Sequence, residues 1–255
     1  MSTGAITAHI DVAQVVLYLF WVFFAGLIVY LHRESKREGY PLVSEGRGGR
    51  TVIQGFPAVP DAKTFKLADG SVRHAPPGLG ADTRPLNARP NDGMPGSPLV
   101  PIGNPLLAGV GPGSWAERPD IPDRTFEGEA RIVPLRVLEG FGVDAKDPDP
   151  RGWPVVGADR AVGGTVTDLW VDRAEMLFRY IEVEVPGGRK VLLPINFAKV
   201  TSRDVKVQSI LGHQFADVPG TRSAYQVTML EEEKVMAYYG AGTLYAEPSR
   251  AEPLI

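Results

Sequence analysis

The sequence predicts a membrane-anchored protein in which a single N-terminal transmembrane α-helix precedes a mainly-β domain, with an irregular proline- and glycine-rich layer and a short C-terminal helix. Three observations lead to this prediction. Residues 12–31 form an uncharged, predominantly apolar run. Between Pro41 and Pro122 lie 14 of the 23 prolines and 13 of the 29 glycines. From about Ala130 onward, short segments alternate between polar and apolar residues, which is typical of half-buried strands.

The apolar run is long enough to cross a membrane. Twenty residues of α-helix rise about 30 Å, the thickness of the hydrocarbon core of a bilayer. A secretory signal peptide is the alternative interpretation. It is disfavoured because no Lys or Arg precedes His32, the run exceeds the usual apolar region, and the exit around Tyr30 is a poor cleavage site.

Basic residues predict the orientation of the span. Arg33, Lys36 and Arg37 follow it, and none precedes it. The positive-inside rule therefore places residues 1–11 outside and the body in the cytoplasm. Asp11 is positioned to cap the first turn of the helix.

Bulk composition excludes several classes of protein. The formal net charge of −3 gives no indication of a nucleic-acid-binding surface. The absence of cysteine excludes a disulfide framework and thiolate metal sites.

Residues 32–125 are predicted to be an extended layer on the cytoplasmic side. Proline and glycine disfavour regular elements here, so a disordered linker is one interpretation. The favoured interpretation is a layer that packs on partner subunits, because large apolar side chains recur along it. They include Phe56, Phe65, Leu67, Leu99, Ile102, Leu106 and Trp115.

Residues 126–255 are predicted to form a small barrel or sandwich with a C-terminal helix. The candidate strands are residues 131–138, 164–171, 177–185, 190–195 and 204–211. In the third, Arg179 has the parity of the apolar face, so it needs an anionic partner such as Asp172 or Glu175. A capping box at Thr228 opens a helix that is expected to end near Tyr239, at Gly240 and Gly242.

No common catalytic or metal-binding motif is present, and the four histidines are scattered. Carboxylates remain as candidates for chemistry. Glu127 and Glu129 would point the same way on an extended segment, and Glu232 lies in the first turn of the last helix. The plain alternative for each is solvated surface charge.

Several separate motifs, in one order along the chain, resemble the H subunit of the purple-bacterial photosynthetic reaction centre. They are residues 24–28 and 37–42 around the anchor, 109–115 with 120–122, 164–172 with 182–184, and 227–234 with 242–246. The part around residues 164–184 resembles the cytoplasmic barrel of that family, called a PRC-barrel. The resemblance covers essentially the whole chain.

The resemblance implies a subunit that binds no pigment or metal itself and has no enzymatic activity of its own. In that family the H subunit caps the cytoplasmic face of the L and M subunits in the intracytoplasmic photosynthetic membrane. It shields the quinone sites and helps to conduct protons to the secondary quinone. The L and M subunits hold bacteriochlorophyll, bacteriopheophytin, quinones and a non-haem iron. A carotenoid, a cytochrome subunit, the light-harvesting 1 antenna and membrane lipids are further components of such complexes.

The resemblance also implies roles for particular residues. Asp172, Glu175 and Arg179 match positions near the proton route to the secondary quinone, and Glu232 matches an interior acid near the subunit interface. Glu127 and Glu129 stand where some members have two histidines that bind inhibitory metal. This chain is therefore expected to be less sensitive to metal inhibition at that point.

Two other classes of function compete with this one. A membrane-tethered adaptor would use its barrel to bind an unrelated soluble protein. A membrane-anchored enzyme is disfavoured, because the sequence offers no nucleophile–base or metal-binding constellation.

Overall fold

The computed structural model describes residues 4, 6, 10–39, 42–46, 49–53, 55–75, 84–92, 94 and 97–251. The chain divides into two compact units. The first contains residues 1–84 and 92–97, and the second contains residues 85–91 and 98–255. Of the predicted N-terminal segment, residues 1–3, 5 and 7–9 lie outside the described part.

The first unit is built on a long apolar helix, α1 (Val12–Gly39). The backbone amide of Gln14 donates to Asp11 Oδ1 at 2.8 Å, which confirms the predicted cap. Most of the large apolar side chains of α1 are exposed, Trp21 to 56%. A water-soluble protein would bury such a surface, so the helix fits a single-pass membrane protein. It extends eight residues past the apolar run.

Two antiparallel hairpins complete the first unit, and a third lies in the second unit. Their strands are β1 (Leu42–Gly46) with β2 (Gly49–Ile53), β3 (Lys63–Lys66) with β4 (Val72–Ala75), and β5 (Ala88–Pro90) with β6 (Leu99–Pro101).

A curled seven-stranded sheet forms the body of the second unit, in the order β11-β10-β9-β8-β13-β12, with β7 paired to β9. Only β8 and β13 run parallel. The strands are β7 (Ile132–Pro134), β8 (Pro154–Val156), β9 (Val162–Asp172), β10 (Leu177–Glu184), β11 (Lys190–Pro194), β12 (Ala198–Val200) and β13 (Val205–Val207). The long strand β9 pairs with three neighbours and places Trp170 in the core.

Strand β10 departs from the predicted alternation. Tyr180, Ile181, Glu182 and Val183 are all buried, so both faces of the strand are covered in its middle. The register shifts between Phe178 and Tyr180, which leaves Arg179 as an unpaired bulge residue with an exposed side chain. The prediction that Arg179 lies on the apolar face is therefore wrong, because a bulge interrupts the two-residue period.

Helix α2 (Met229–Tyr245) begins at the predicted capping box, in which the amide of Glu231 donates to Thr228 Oγ1 at 3.1 Å. The predicted end near Tyr239 is wrong, since the helix continues through both glycines. A Cβ on Gly240 would lie 2.6 Å from the carbonyl oxygen of Pro112, and one on Gly242 would lie 2.5 Å from Ile210 Cγ2. These glycines allow close packing rather than termination.

Part of the irregular layer packs on the second unit itself. Leu106 and Val110 are buried, and a Cβ on Gly113 would lie 2.8 Å from that of Ala241 on α2. Two predicted strands are shorter than expected: 131–138 contains β7 and then a 3-10 turn (Leu135–Val137), and 204–211 contains only β13. The predicted fold class, an N-terminal apolar helix before a mainly-β domain with a short C-terminal helix, is confirmed.

Candidate functional site

Asp172 ends β9 and is completely buried. Its Oδ1 accepts hydrogen bonds from the backbone amides of Ala174 and Glu175, both at 3.0 Å. An aspartate that bonds amides two and three residues ahead shapes a tight turn. The turn brings Glu175 back towards the end of the strand.

Arg131 is the main partner of Asp172, and it precedes β7, which pairs with the end of β9. Its Nε donates to Asp172 Oδ1 at 2.9 Å, and its Nη2 lies 2.9 Å from Oδ2. The same guanidinium reaches Glu175 Oε1 at 2.5 Å and Asp123 Oδ2 at 3.2 Å. Three carboxylates therefore share one arginine, which the sequence reasoning did not identify.

Arg179 completes this cluster from the bulge in β10. Its Nε lies 3.4 Å from Asp172 Oδ2, and its Nη2 lies 3.9 Å from Glu175 Oε2. The expectation of an anionic partner for Arg179 is confirmed, since both candidates, Asp172 and Glu175, form ion pairs with it. The structure thus brings together three of the predicted residues: Asp172, Glu175 and Arg179.

Glu232 lies in a neighbouring cleft of about 340 Å³, which Arg179 also lines. The hydroxyl of buried Tyr180 donates to Glu232 Oε2 at 2.8 Å. Arg118 and Glu233 line the same cleft and form an ion pair at 3.6 Å. Arg179 is therefore shared between the Asp172 cluster and this cleft, called here the Glu232 cleft.

The two acids have opposite electrostatics. Burial by itself raises the pKa of Asp172, but Arg131 and the amides of Glu175 and Ala174 outweigh burial, so the pKa lies below the ordinary value. Burial raises the pKa of Glu232 above the ordinary value, although the Tyr180 hydroxyl and the charge of Arg179 oppose the shift. Asp172 is consequently a fixed anion at neutral pH, whereas Glu232 is the acid shifted towards neutral pH.

Glu127 and Glu129 do not lie on an extended segment. The amide of Gly128 donates to the carbonyl of Thr125 at 3.0 Å, so the two glutamates lie in a tight turn. Glu129 is exposed and forms an ion pair with Arg173, which follows Asp172. Hydrogen bonding to its own backbone amide lowers the pKa of Glu127. An extended backbone, the condition under which both would point the same way, is therefore not met.

A second buried network lies on the other part of β10. Glu182 is buried and accepts hydrogen bonds from Lys190 Nζ at 2.9 Å, Arg136 Nη1 at 2.8 Å and Trp170 Nε1 at 3.1 Å. Burial opposes its ionisation, but these donors keep its pKa below the ordinary value. The sequence did not predict this burial, because strict alternation along the strand places Glu182 on the face opposite Ile181 and Val183.

Among the residues that the structure describes, no group of three or more His, Asp or Glu side chains is arranged to hold a metal ion. The acids of the Asp172 cluster are instead paired with guanidinium groups, which neutralise the charge that would attract a cation.

Comparison with known families finds two matches. Residues 4–137 match the N-terminal region of the photosynthetic reaction centre H chain, and residues 144–214 match the PRC-barrel domain. The first match spans just over half of the chain. The second covers most of the curled sheet. These matches favour a reaction-centre subunit over a soluble-partner adaptor. The chain therefore belongs to the H-chain family of the photosynthetic reaction centre, whose members are structural subunits that associate with the L and M subunits.

Proposed function

We propose that this chain caps the cytoplasmic face of the L and M subunits, shields the quinone sites and conducts protons towards the secondary quinone. The observation that carries the proposal is the Glu232 cleft. A carboxylic acid with a raised pKa lies there beside a cationic residue shared with a second acidic cluster. Double reduction of a quinone creates charge in a dry site, so protons must arrive through groups of this kind.

The acids take different roles in this proposal. Glu232 and Glu175 exchange protons, since Glu232 has the raised pKa and Glu175 is about half exposed to solvent. Asp172 remains ionised and holds Arg131 and Arg179 in place. Glu127 and Glu129 gather protons at the surface. Arg179 lies beside both Glu232 and Glu175 and so connects the two parts of the route.

The anchor and the irregular layer supply the cap. In this proposal, α1 crosses the bacterial photosynthetic membrane with its N-terminus in the periplasm, packs beside the helices of L and M, and positions the layer on their cytoplasmic surface. Exposed side chains along α1 support this role, and the open surface at Gly26 allows a neighbouring helix to approach closely. The pigments, quinones and iron are held by L and M, and residues 126–255 form the proton-conducting domain.

Substitution of the acids in the assembled complex tests the proton route. Glu232→Gln and Glu175→Gln should each slow the second electron transfer to the secondary quinone, Glu232→Gln by at least about tenfold, because a positioned acid is lost. The first electron transfer and the near-infrared bacteriochlorophyll bands should be unchanged. Glu184→Gln, an exposed residue of β10, is the matched control. Wild-type rates in both variants between about pH 6 and 9 would overturn the proton route while leaving the capping role intact.

A further inference from the structure

A second cleft in the barrel unit concentrates positive charge. It has a volume of about 580 Å³, and its lining includes Lys199, Lys206, Arg250, Ser209, Thr243 and Asn196. Among the described residues that line it, none is an Asp or Glu. This surface is called here the cationic cleft. Nothing in the proposed proton route uses it.

Two of its cations face each other across a strand pair. Lys199 of β12 and Lys206 of β13 are direct partners in the antiparallel register, and both side chains are exposed. Directly opposite residues have Cβ atoms about 4.5–5.5 Å apart, and like charges in that arrangement destabilise a sheet. No ion pair within 4.0 Å joins either lysine to a carboxylate of the described residues. An anion from outside the chain would therefore relieve the repulsion.

Arg250 is held rigidly at the same cleft. Its Nη1 donates to the carbonyl oxygens of Gln208 at 3.0 Å, Ser209 at 2.9 Å and Gly242 at 2.9 Å. Its Nε donates to Glu247 Oε2 at 3.1 Å, so part of its charge is already balanced. Because three carbonyl oxygens hold the guanidinium, its remaining surface has one orientation. A cation fixed in this way recognises an anion better than a mobile surface charge does.

A plain alternative for Lys199 is protection of the sheet edge. Edge strands often bear a lysine that keeps other chains away, but that role does not explain the second lysine, on β13. The hydroxyl of Ser209 makes no hydrogen bond within the described chain, but its Oγ is enclosed beneath the lining and does not contact a ligand in the cleft.

We propose that the cationic cleft binds a phosphate-class oxyanion, with its charge between Lys199 and Lys206. Two ammonium groups beside a fixed guanidinium match a doubly charged, multi-oxygen ligand better than a halide, which accepts without direction. The cleft has room for a phosphate group with a small organic body. A soluble phosphate and the headgroup of an anionic lipid share this chemistry.

The test uses the full chain in phosphatidylcholine nanodiscs, titrated with inorganic phosphate at constant ionic strength against a chloride reference. Calorimetry should show saturable phosphate binding. Lys199→Gln and Lys206→Gln should each weaken it by about tenfold or more, the loss expected for one charged hydrogen bond. Ser209→Ala, which removes an enclosed hydroxyl, and Lys146→Gln, which changes an exposed loop residue, should both leave it unchanged.

A stability readout separates loss of binding from loss of folding. Phosphate should raise the unfolding midpoint of the wild type and not that of the lysine variants. Without phosphate, the variants should be at least as stable as the wild type, since a like-charge contact is removed. Absence of saturable phosphate binding, or equal binding by wild type and both lysine variants, would overturn the proposal.

The source of the anion is identified by phosphorus NMR of nanodiscs that contain phosphatidylglycerol. Broadening of the lipid headgroup resonance by the wild type, but not by the variant with both lysines replaced, identifies a lipid ligand. An unchanged headgroup resonance together with phosphate binding in phosphatidylcholine discs identifies a soluble ligand.

Discussion

At the scale of single residues, the environment of each acid decides its chemistry. Asp172 is completely buried and Glu232 is half-buried, yet the pKa of Asp172 is lowered and that of Glu232 is raised. The difference is the number of donors: Asp172 has two arginines and two amides within reach, whereas Glu232 accepts from one tyrosine hydroxyl. The amino-acid composition alone cannot distinguish two such acids, because it does not show how many hydrogen-bond and ion-pair partners each one has.

The Tyr180–Glu232 hydrogen bond is expected to tune the proton affinity of the Glu232 cleft. The hydroxyl stabilises the ionised glutamate, so Tyr180→Phe should raise the pKa of Glu232 further. Infrared titration of the protonated carboxyl stretch, assigned with Glu232→Gln, measures this. A titration curve that moves to lower pH, or does not move, would contradict the assigned role of the hydroxyl.

Glu232 should also affect the dependence of stability on pH. Its pKa is higher in the folded chain than in the unfolded one, so the folded state binds the proton more tightly. Stability from this group is then present at low pH and is lost as the pH rises through the folded pKa. Glu232→Gln should therefore gain stability relative to the wild type as the pH rises. Unfolding midpoints of the wild type and Glu232→Gln, measured over a range of pH, test this. A difference between the two proteins that stays constant with pH would contradict the expectation.

Glu182 should behave in the opposite way. Its folded pKa is lowered, so its contribution is present above the unfolded value and is lost as the pH falls through the folded pKa. Glu182→Gln leaves Arg136 and Lys190 without their shared anion and should cost about 3 kcal/mol near neutral pH. The loss should shrink in acid. Denaturant unfolding at two pH values measures it, with Glu184→Gln expected to stay within about 0.5 kcal/mol of the wild type.

At the scale of elements, close approach decides where α2 ends. Glycine commonly marks a helix terminus, and Gly240 and Gly242 lie where one was expected. Both instead lie inside the helix. Glycine is required at these positions because the carbonyl oxygens of Pro112 and Ser209 lie where a Cβ would be in close contact. Close packing also explains Gly113, where a Cβ would collide with Ala241.

Gly242→Ala is the sharpest test of this packing. Alanine is the better helix former by about 1 kcal/mol, so propensity alone predicts stabilisation. The added Cβ would lie 2.5 Å from Ile210 Cγ2 and closer still to the Ser209 carbonyl. We expect a net loss of about 1–3 kcal/mol in the free energy of unfolding. Gly142→Ala, where a Cβ has open space, should be nearly neutral. Equal behaviour of the two variants would refute the packing argument.

At the scale of the whole molecule, α1, the irregular layer and the barrel unit belong to one larger complex. The exposed apolar surface of α1 needs lipid or other helices to cover it. Family membership supplies the L and M subunits as partners. In the proposed proton route, the acids of the barrel unit act as a set, since such a route depends on the spacing among several groups.

The assembled complex is expected to resist metal inhibition at Glu127 and Glu129. The resemblance implies that these residues match positions where some relatives have histidines, and here Glu129 is already paired with Arg173. Zinc should therefore slow flash-induced proton uptake less than in histidine-bearing relatives, because imidazole is the stronger zinc ligand. Uptake rates with and without zinc measure this. Equally strong inhibition in both complexes would contradict the prediction.

The sequence by itself determined the apolar span, the N-cap at Asp11, the capping box at Thr228 and the family motifs. All of these depend on residues within a few positions of one another, so local physics suffices to predict them.

The tertiary structure alone decided the Arg131–Asp172 pair, the bulge at Arg179, the opposed lysines of the cationic cleft and the role of the glycines in α2. Arg131 and Asp172 are 41 residues apart. Their contact depends on how β7 pairs with β9. Burial and charge environment arise from neighbours distant in sequence, which is why the acids could be named from the sequence but their protonation could not.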